Sequence, residues 1–171
     1  GCLIEEELGW GCSGIGTSLA ANGLASAPIT LGGSEETKKK YLGMLTAGPL
    51  FASYCTTEPS GGSDVAGLRT TFTQHGDDYV LNGEKSWITN ASFASFYVVF
   101  ATADPQKRHK GIAAFIVERD TPGLKVGKHE DKLGQRASDT AAVHFEDVKV
   151  RKENLLAPEG EGFRLAMETF N

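Results

Sequence analysis

The sequence lacks the features of several large functional classes. Its 171 residues contain three cysteines and no Cys-x-x-Cys pair, so we expect neither a disulfide framework nor a zinc site. The four histidines are scattered without the spacing of metal ligands, and we expect no metal site. The longest apolar run, Phe96–Ala101, is far too short to cross a bilayer, so we expect no membrane span.

Positive charge is also scarce. Seventeen Lys and Arg residues are outnumbered by 22 Asp and Glu residues, which gives a net charge of −5. No basic stripe is present, so we expect no nucleic-acid partner. The chain does not begin with Met, shows no targeting segment, and starts with a helical pattern, so we interpret it as a fragment of a longer protein.

The pattern of apolar and turn-forming residues changes twice along the chain. Residues 1–49 have a helical pattern, residues 50–158 carry short strand patterns, and residues 159–171 are helical again. The predicted strands are 50–55, 69–75, 79–81, 85–89, 96–102, 112–117 and 141–145. Because no helices intervene, we predict a central antiparallel β-barrel or sandwich domain, and an α+β multidomain fragment as the fold class.

Turn and cap residues predict where several elements begin and end. Ser34 is a typical N-cap of a short helix that ends at Gly48-Pro49. Gly76-Asp77 and Asn82-Gly83 are typical of hairpin turns. The first helix is predicted from an apolar stripe at positions 4, 8, 15 and 19, although four glycines between positions 9 and 16 weaken that prediction.

The stretch from Tyr54 to Gly67 is the most informative part of the sequence. It leaves a predicted strand, turns at Pro59 and continues through glycine and serine, which let backbone N–H groups approach an anion. The hydroxyls of Thr57 and Ser63 add hydrogen-bond donors. No P-loop lysine follows, and the residues alone fit a plain surface loop equally well.

A second informative stretch, residues 82–90, reads N-G-E-K-S-W-I-T-N. Trp87 and Thr89 are two residues apart on a predicted strand and therefore share a face. The indole is either a core anchor or a wall for a flat ring. The residues alone favour the core anchor.

These stretches together resemble the acyl-CoA dehydrogenase family. Its motifs match Y-C-T-T-E-P-S-G-G-S-D-V-A-G at 54–67 and the stretch 82–90, followed by D-K-L-G-Q-R-A-S-D-T at 131–140 and V-H-F-E-D-V-K-V at 143–150. The residues at 134–140 and 38–43 are most similar to those of the mitochondrial medium-chain members. The resemblance implies the end of an N-terminal helical domain at 1–49, a β-barrel middle domain that binds FAD and acyl-CoA at 50–158, and the start of a C-terminal helical bundle at 159–171.

The same resemblance implies the activity. Members of the family use FAD to oxidise the Cα–Cβ bond of acyl-CoA thioesters in fatty-acid β-oxidation and pass the electrons to electron-transfer flavoprotein. A homotetramer in the mitochondrial matrix is implied as well. An acyl-CoA oxidase that uses oxygen and an inactive, truncated FAD-binding module are the alternatives. The family's catalytic base has no counterpart in these residues, so we expect no activity from the 171 residues alone, and Glu58 is expected to fix the turn.

Site residues also follow from the resemblance. It implies FAD contacts at Tyr54, Cys55, Thr56, Thr57, Gly62, Ser63, Trp87, Ile88 and Thr89, with Thr89 directed at flavin N5. It implies acyl-CoA contacts at Ser63, Gly16, Thr17, Ala20, His109 and Asn171. Four of these positions depart from the usual family pattern. Thr56 replaces an aliphatic residue, Asn171 replaces an acid, and Gly16 and Ala20 are smaller than their medium-chain counterparts, which predicts a deeper acyl pocket for longer chains.

Overall fold

The computed structural model describes residues 2–170. These residues form three α-helices: α1 (Cys2–Gly32), α2 (Glu35–Ala47) and α3 (Gly162–Thr169). They also form eight strands: β1 (Phe51–Cys55), β2 (Thr71–His75), β3 (Asp78–Thr89), β4 (Ala94–Thr102), β5 (Ile112–Glu118), β6 (Leu124–His129), β7 (Thr140–Val150) and β8 (Leu155–Ala157). The order of helices, strands and a final helix confirms the predicted α+β class. None of these helices is both long enough and apolar enough to pass through a bilayer.

The eight strands belong to one sheet in the order β6-β7-β3-β2-β4-β5-β8, and β1 lies alongside β4. Most pairs are antiparallel, but β1 runs parallel to β4, so the sheet is mixed. Strand β1 arrives from a helix and not from a hairpin, so its direction is not set by a tight turn. Within residues 2–170 no pairing joins β6 to β8, and the sheet remains open instead of closing into a barrel.

The sheet is buried on both faces at its centre. On one face Tyr97 of β4 and Phe115 of β5 join a core formed with β2, β3 and β7. On the other face Phe96 and Ile116 pack with the helices, where Ile29 of α1 is fully buried. Side chains that alternate along a strand therefore divide between two cores.

Helix α1 holds the first strand in place. It is interrupted at Cys12, which has the extended dihedrals φ −163° and ψ 107°. Beyond this break, the side-chain amide of Asn22 donates to the carbonyl of Leu50 at 3.0 Å and accepts from the N–H of Ala52 at 2.9 Å. The predicted apolar stripe does not enter the core of the described chain, since Ile4, Ile15 and Leu19 are exposed.

The helix cap is confirmed, and one of the two predicted hairpin turns is wrong. The Ser34 hydroxyl accepts from the N–H of Thr37 at 3.2 Å, and Gly76 has φ 63° in the turn between β2 and β3. Asn82-Gly83 instead lies inside β3, at a bulge opposite β7. Gly83 has φ 144°, and a Cβ there would lie 2.7 Å from the Cα of Thr70. Glycine is thus required by a close approach of two backbones and not by a chain reversal.

Candidate functional site

The two stretches that carry the sequence motifs lie side by side. We call residues 56–63, which follow β1, the 56–63 bend. The backbone N–H of Ser86 in β3 donates to the carbonyl oxygen of Thr57 at 2.9 Å. The bend and the last four residues of β3 therefore form one continuous surface.

The 56–63 bend is a tight reversal. Glu58 and Gly61 exchange two backbone hydrogen bonds of 3.2 and 3.0 Å, with Pro59 at the tip as the sequence predicted. Gly62 and Ser63 continue from this reversal and are exposed. Small residues here leave backbone N–H groups accessible to a ligand.

A buried ion pair lies beneath the bend. The ammonium group of Lys85 lies 2.8 Å from Oε1 of Glu58, and their side chains are 0% and 2% exposed. Glu58 Oε2 also accepts from the N–H of Arg69 at 2.7 Å, and Oε1 accepts from the N–H of Thr70 at 2.9 Å. The carboxylate therefore has a structural set of partners, in agreement with the expectation that Glu58 fixes the turn.

Burial and ion pairing shift the pKa values of Glu58 and Lys85 in opposite directions. Burial alone would raise the pKa of the Glu58 carboxyl, but Lys85 and Thr70 outweigh it and bring that pKa below its ordinary value of 4.5. Burial lowers the pKa of the Lys85 ammonium, and Glu58 opposes that shift. Because Glu58 is buried and both of its carboxylate oxygens already accept hydrogen bonds, it is not available as a catalytic base.

Next to the bend, β3 presents an open aromatic face. Trp87 is 60% exposed and has φ 60°, at a bulge where the register between β3 and β7 shifts. Ile88 beside it is buried, and Thr89 is half-buried. The core-anchor interpretation of Trp87 is therefore wrong. The indole is open to solvent at the position after Ser86, whose N–H bonds to the bend.

The polar groups along this surface fit a flat, polar heteroaromatic group. Among the described residues, the bonds that Thr57 and Thr89 accept from Ser86 and Ser53 use backbone carbonyls, and no hydrogen bond engages the hydroxyl of Thr57, Ser63 or Thr89. An exposed indole offers its face to a ring, and unengaged hydroxyls offer donors and acceptors to the edge of that ring. This donor set fits an isoalloxazine.

The first residues of the predicted cofactor segment contribute differently. The Tyr54 ring packs 5.2 Å from that of Phe100 and 5.7 Å from that of Phe170. Cys55 is fully buried, and burial raises the pKa of its thiol to about 12. Thr56 is also buried, with its carbonyl bonded to Lys85 at 3.3 Å. The side chains of Tyr54 and Cys55 belong to the cores, so only their backbones are available to a ligand.

Helix α1, which carries three of the predicted acyl-contacting residues, passes close to the end of β3. The Asn90 side-chain amide donates to the carbonyl of Ser18 at 2.8 Å, which brings α1 close to Thr89. The Thr17 hydroxyl lies 3.1 Å from Gln135 Oε1. Ala20 is exposed.

Gly16 is buried on the same helix. A Cβ placed on it would lie 3.6 Å from the backbone nitrogen of Gly9 in the segment before the Cys12 break. Of the two small residues that the sequence places at the pocket floor, only Ala20 is therefore open in the described chain.

The remaining predicted acyl-CoA residues lie at the other end of the bend or outside the described chain. Arg108 binds both carboxylate oxygens of Asp64, at 2.9 and 3.0 Å, and so ties the 105–111 segment to the residue after Ser63. His109 is exposed, and its ring lies 5.9 Å from that of Phe163. Asn171 lies outside the described residues.

Comparison with known families decides the assignment. The family model described as "Acyl-CoA dehydrogenase, middle domain" matches residues 53–148, and "Acyl-CoA dehydrogenase, N-terminal domain" matches residues 1–49. The chain belongs to the acyl-CoA dehydrogenase family. The family's middle-domain match contains both the 56–63 bend and all of β3.

Individual members of the family are similar over nearly the whole chain. A probable medium-chain specific acyl-CoA dehydrogenase 2, mitochondrial, of Caenorhabditis briggsae is 47% identical over 99% of this chain and 42% of its own length. The mitochondrial short-chain specific enzyme of Rattus norvegicus is 45% identical over 99% of this chain and 41% of its own. The structure of butyryl-CoA dehydrogenase from Megasphaera elsdenii has a TM-score of 0.93 at 43% identity, over 98% of this chain and 44% of that one. The chain thus spans less than half the length of these acyl-CoA dehydrogenases.

Sequence reasoning missed Lys85 at this site. Lysine is almost never fully buried, and its partner Glu58 lies 27 positions earlier in the chain, so no local pattern points to the pair. The available signal was indirect, because each residue lies inside one of the two motifs that resemble the acyl-CoA dehydrogenase family.

Proposed function

We propose that this chain is the flavin-binding part of an FAD-dependent acyl-CoA dehydrogenase. In this proposal residues 1–49 end the N-terminal helical domain, residues 50–158 form the middle domain, and residues 159–171 begin the C-terminal helical domain. The single observation that carries the proposal is the hydrogen bond between Ser86 and Thr57, since it joins the two motif segments into one surface.

The proposed flavin contacts divide between backbone and side chains. The backbones of Tyr54, Cys55, Thr56, Gly62 and Ile88 line the ring, and the hydroxyls of Thr57, Ser63 and Thr89 bind polar atoms. Trp87 covers one face of the ring and excludes water from it. FAD, when bound, supplies the two-electron acceptor for the hydrogen that leaves the β-carbon of the acyl chain.

The proposed reaction is the α,β-dehydrogenation of medium-to-long-chain acyl-CoA thioesters in fatty-acid β-oxidation. Ser63, His109 and Asn171 contact the acyl-CoA on one side, and Gly16, Thr17 and Ala20 line the acyl chain. The names of the relatives do not decide the chain length, since medium-chain and short-chain enzymes are 47% and 45% identical to this chain. The preference for longer chains is proposed from the small side chain of Ala20 and its exposure.

The whole protein is proposed to act as a homotetramer in the mitochondrial matrix and to pass its electrons to an electron-transfer flavoprotein. Both relatives that support the location are named as mitochondrial proteins. The catalytic base is proposed to lie outside the present residues. Glu58 is buried in its ion pair, and Glu168 is held by Arg164 at 2.8 Å.

The test uses the full-length, FAD-loaded protein without oxygen. Butyryl-, octanoyl- and palmitoyl-CoA are added in turn, and loss of the visible flavin band is followed together with formation of the enoyl-CoA. We expect octanoyl- and palmitoyl-CoA to reduce the flavin, with reoxidation by electron-transfer flavoprotein faster than by oxygen. An unchanged flavin band with every acyl-CoA would contradict the proposal, and rapid peroxide formation in air would identify an oxidase instead.

A further inference from the structure

Three consecutive residues of the bend are bonded to two consecutive residues of β3. The Lys85 ammonium donates to the carbonyl of Thr56 at 3.3 Å and to Glu58 Oε1 at 2.8 Å. Between these contacts, the Ser86 N–H donates to the carbonyl of Thr57 at 2.9 Å. The bend cannot slide along β3 without breaking several of these bonds together.

The other side of the carboxylate is held as firmly. Glu58 receives the backbone N–H groups of Arg69 and Thr70, which lie immediately before β2. The carbonyl of Thr70 accepts from the N–H of Thr102 at 2.9 Å, so this anchor continues into β4. Glu58 therefore connects the bend to three strands of the sheet.

Stability alone does not account for a charged pair at this place. A buried ion pair is often no more stabilising than well-packed apolar side chains of the same volume, because both charges lose their hydration. Directional bonds do fix geometry, however, and apolar contacts do not specify donor and acceptor positions. Trp87 follows Ser86 directly, so the bonded residues adjoin the open surface.

We propose that the Glu58–Lys85 ion pair is the positioning element of the flavin site, which holds the bend bearing Thr57 and Ser63 in register with the strand bearing Trp87 and Thr89. The inference rests on the proposed function and deepens it. Neither side chain contacts the flavin in this proposal. Both act through the backbone of the bend, so the loss of both side chains together is expected to affect flavin binding more than folding.

The experiment compares three variants with one matched control in the full-length flavoprotein. Lys85→Met and Glu58→Gln each remove one charge, and the double variant Glu58→Gln/Lys85→Met leaves a neutral pair. The control is Lys125→Met, since Lys125 forms a 2.7 Å pair with Glu146 in which both side chains are more than half exposed. The dissociation constant for FAD, the melting temperature of the flavin-free protein and amide exchange at residues 57, 58, 60 and 61 are measured for each.

The double variant separates positioning from stability. Removal of one partner leaves the other as an unpaired buried charge, so each single variant should have a melting temperature well below that of the control. Removal of both partners leaves no buried charge, and the double variant should recover most of the lost melting temperature. We expect FAD to bind about tenfold more weakly to the double variant than to the control, because several charge-assisted bonds are lost. Exchange of the bend amides should remain faster than in the control.

Each outcome supports the inference or overturns it. Binding of FAD by the double variant within about twofold of the control would overturn it, since such a difference is well below the effect of one such bond. If the variants do not fold, amide exchange in the flavin-free wild-type protein tests the inference instead. We expect its Arg69 and Thr70 amides to exchange as slowly as those of β5. Exchange there as fast as in the Gly76 turn would overturn the inference. Failure of wild-type and control proteins to bind FAD at all would instead contradict the proposed function, and the positioning role with it.

Discussion

The hydroxyl of Ser53 donates a hydrogen bond of 2.8 Å to the carbonyl oxygen of Thr89. Ser53 lies in β1 and Thr89 at the last position of β3, so this bond holds the end of β3 from the side of the bend. The backbone oxygen of Thr89 is thereby engaged, and its side-chain hydroxyl remains for a ligand.

Thr89→Val is expected to weaken FAD binding about two- to tenfold, which corresponds to the loss of one neutral hydrogen bond. Valine keeps the shape of threonine, so the melting temperature should change little. Thr73→Val is the matched control, because Thr73 is exposed in β2. Flavin fluorescence titration measures both. Equal FAD affinities of the two variants would show that the Thr89 hydroxyl does not bind the flavin.

Tryptophan fluorescence distinguishes the two indoles of the chain. Trp87 forms the wall of the proposed site, whereas Trp10 is 91% exposed in the segment before the Cys12 break. FAD binding should quench the fluorescence of Trp10→Ala, which retains Trp87, and should quench that of Trp87→Ala far less. The reverse pattern would place the flavin near α1.

Gly83→Ala is expected to destabilise the protein by about 1–3 kcal/mol, since a side chain at φ 144° is strained and meets the backbone of Thr70 at 2.7 Å. Gly134→Ala is the control, because no atom outside its immediate surroundings lies within 4 Å of the added Cβ. That substitution should change the free energy of unfolding by less than about 0.5 kcal/mol. Urea unfolding measures both, and similar values would show that the bulge tolerates a side chain.

The sequence correctly predicted those structural features that depend only on residues close to one another in the chain. The Ser34 cap and the Gly76 turn depend on neighbouring residues only, and both are confirmed. Asn82-Gly83 has the composition of a hairpin turn, yet the approach of Thr70, which is distant in sequence, places it in a bulge. Strand β6 was missed because Lys125, Gly127 and Lys128 interrupt its apolar pattern at the edge of the sheet.

The site shows the same division between local and long-range information. The motifs identified the bend and the strand with Trp87, but the composition of the strand favoured a buried indole. The bulge with φ 60° at Trp87 leaves it exposed, and no residue type in the sequence signals that dihedral. The burial of Lys85 depends on its pairing with Glu58, which is distant in sequence, so no local sequence pattern predicted it either.

Acid should destabilise the wild-type protein more steeply than Glu58→Gln. The pKa of Glu58 is lower in the folded state than its ordinary value of 4.5. Its contribution to the free energy of unfolding is therefore present above that value and is lost as the pH falls through the lower, folded-state pKa. Urea unfolding between neutral pH and acid should show a difference between the two proteins that shrinks as the pH falls below 4.5. A constant difference would contradict the direction of this shift.

Ala20→Glu should shorten the preferred acyl chain. A larger side chain at the proposed pocket floor excludes the last carbons of long substrates. Each excluded methylene is expected to lower kcat/KM about tenfold or more. The value of kcat/KM should fall for palmitoyl-CoA and change little for butyryl-CoA. Ala47→Glu, at an exposed position in α2, is the control. An equal loss for both substrates would show that Ala20 does not meet the acyl chain.

The most direct test of the central claim is a crystal structure of the FAD-loaded, full-length protein. Our account predicts isoalloxazine density between the 56–63 bend and the end of β3, with polar ring atoms within hydrogen-bond distance of Thr57 and Thr89 and the ring beside Trp87. Flavin density at another surface, with these hydroxyls facing only solvent or protein, would contradict it.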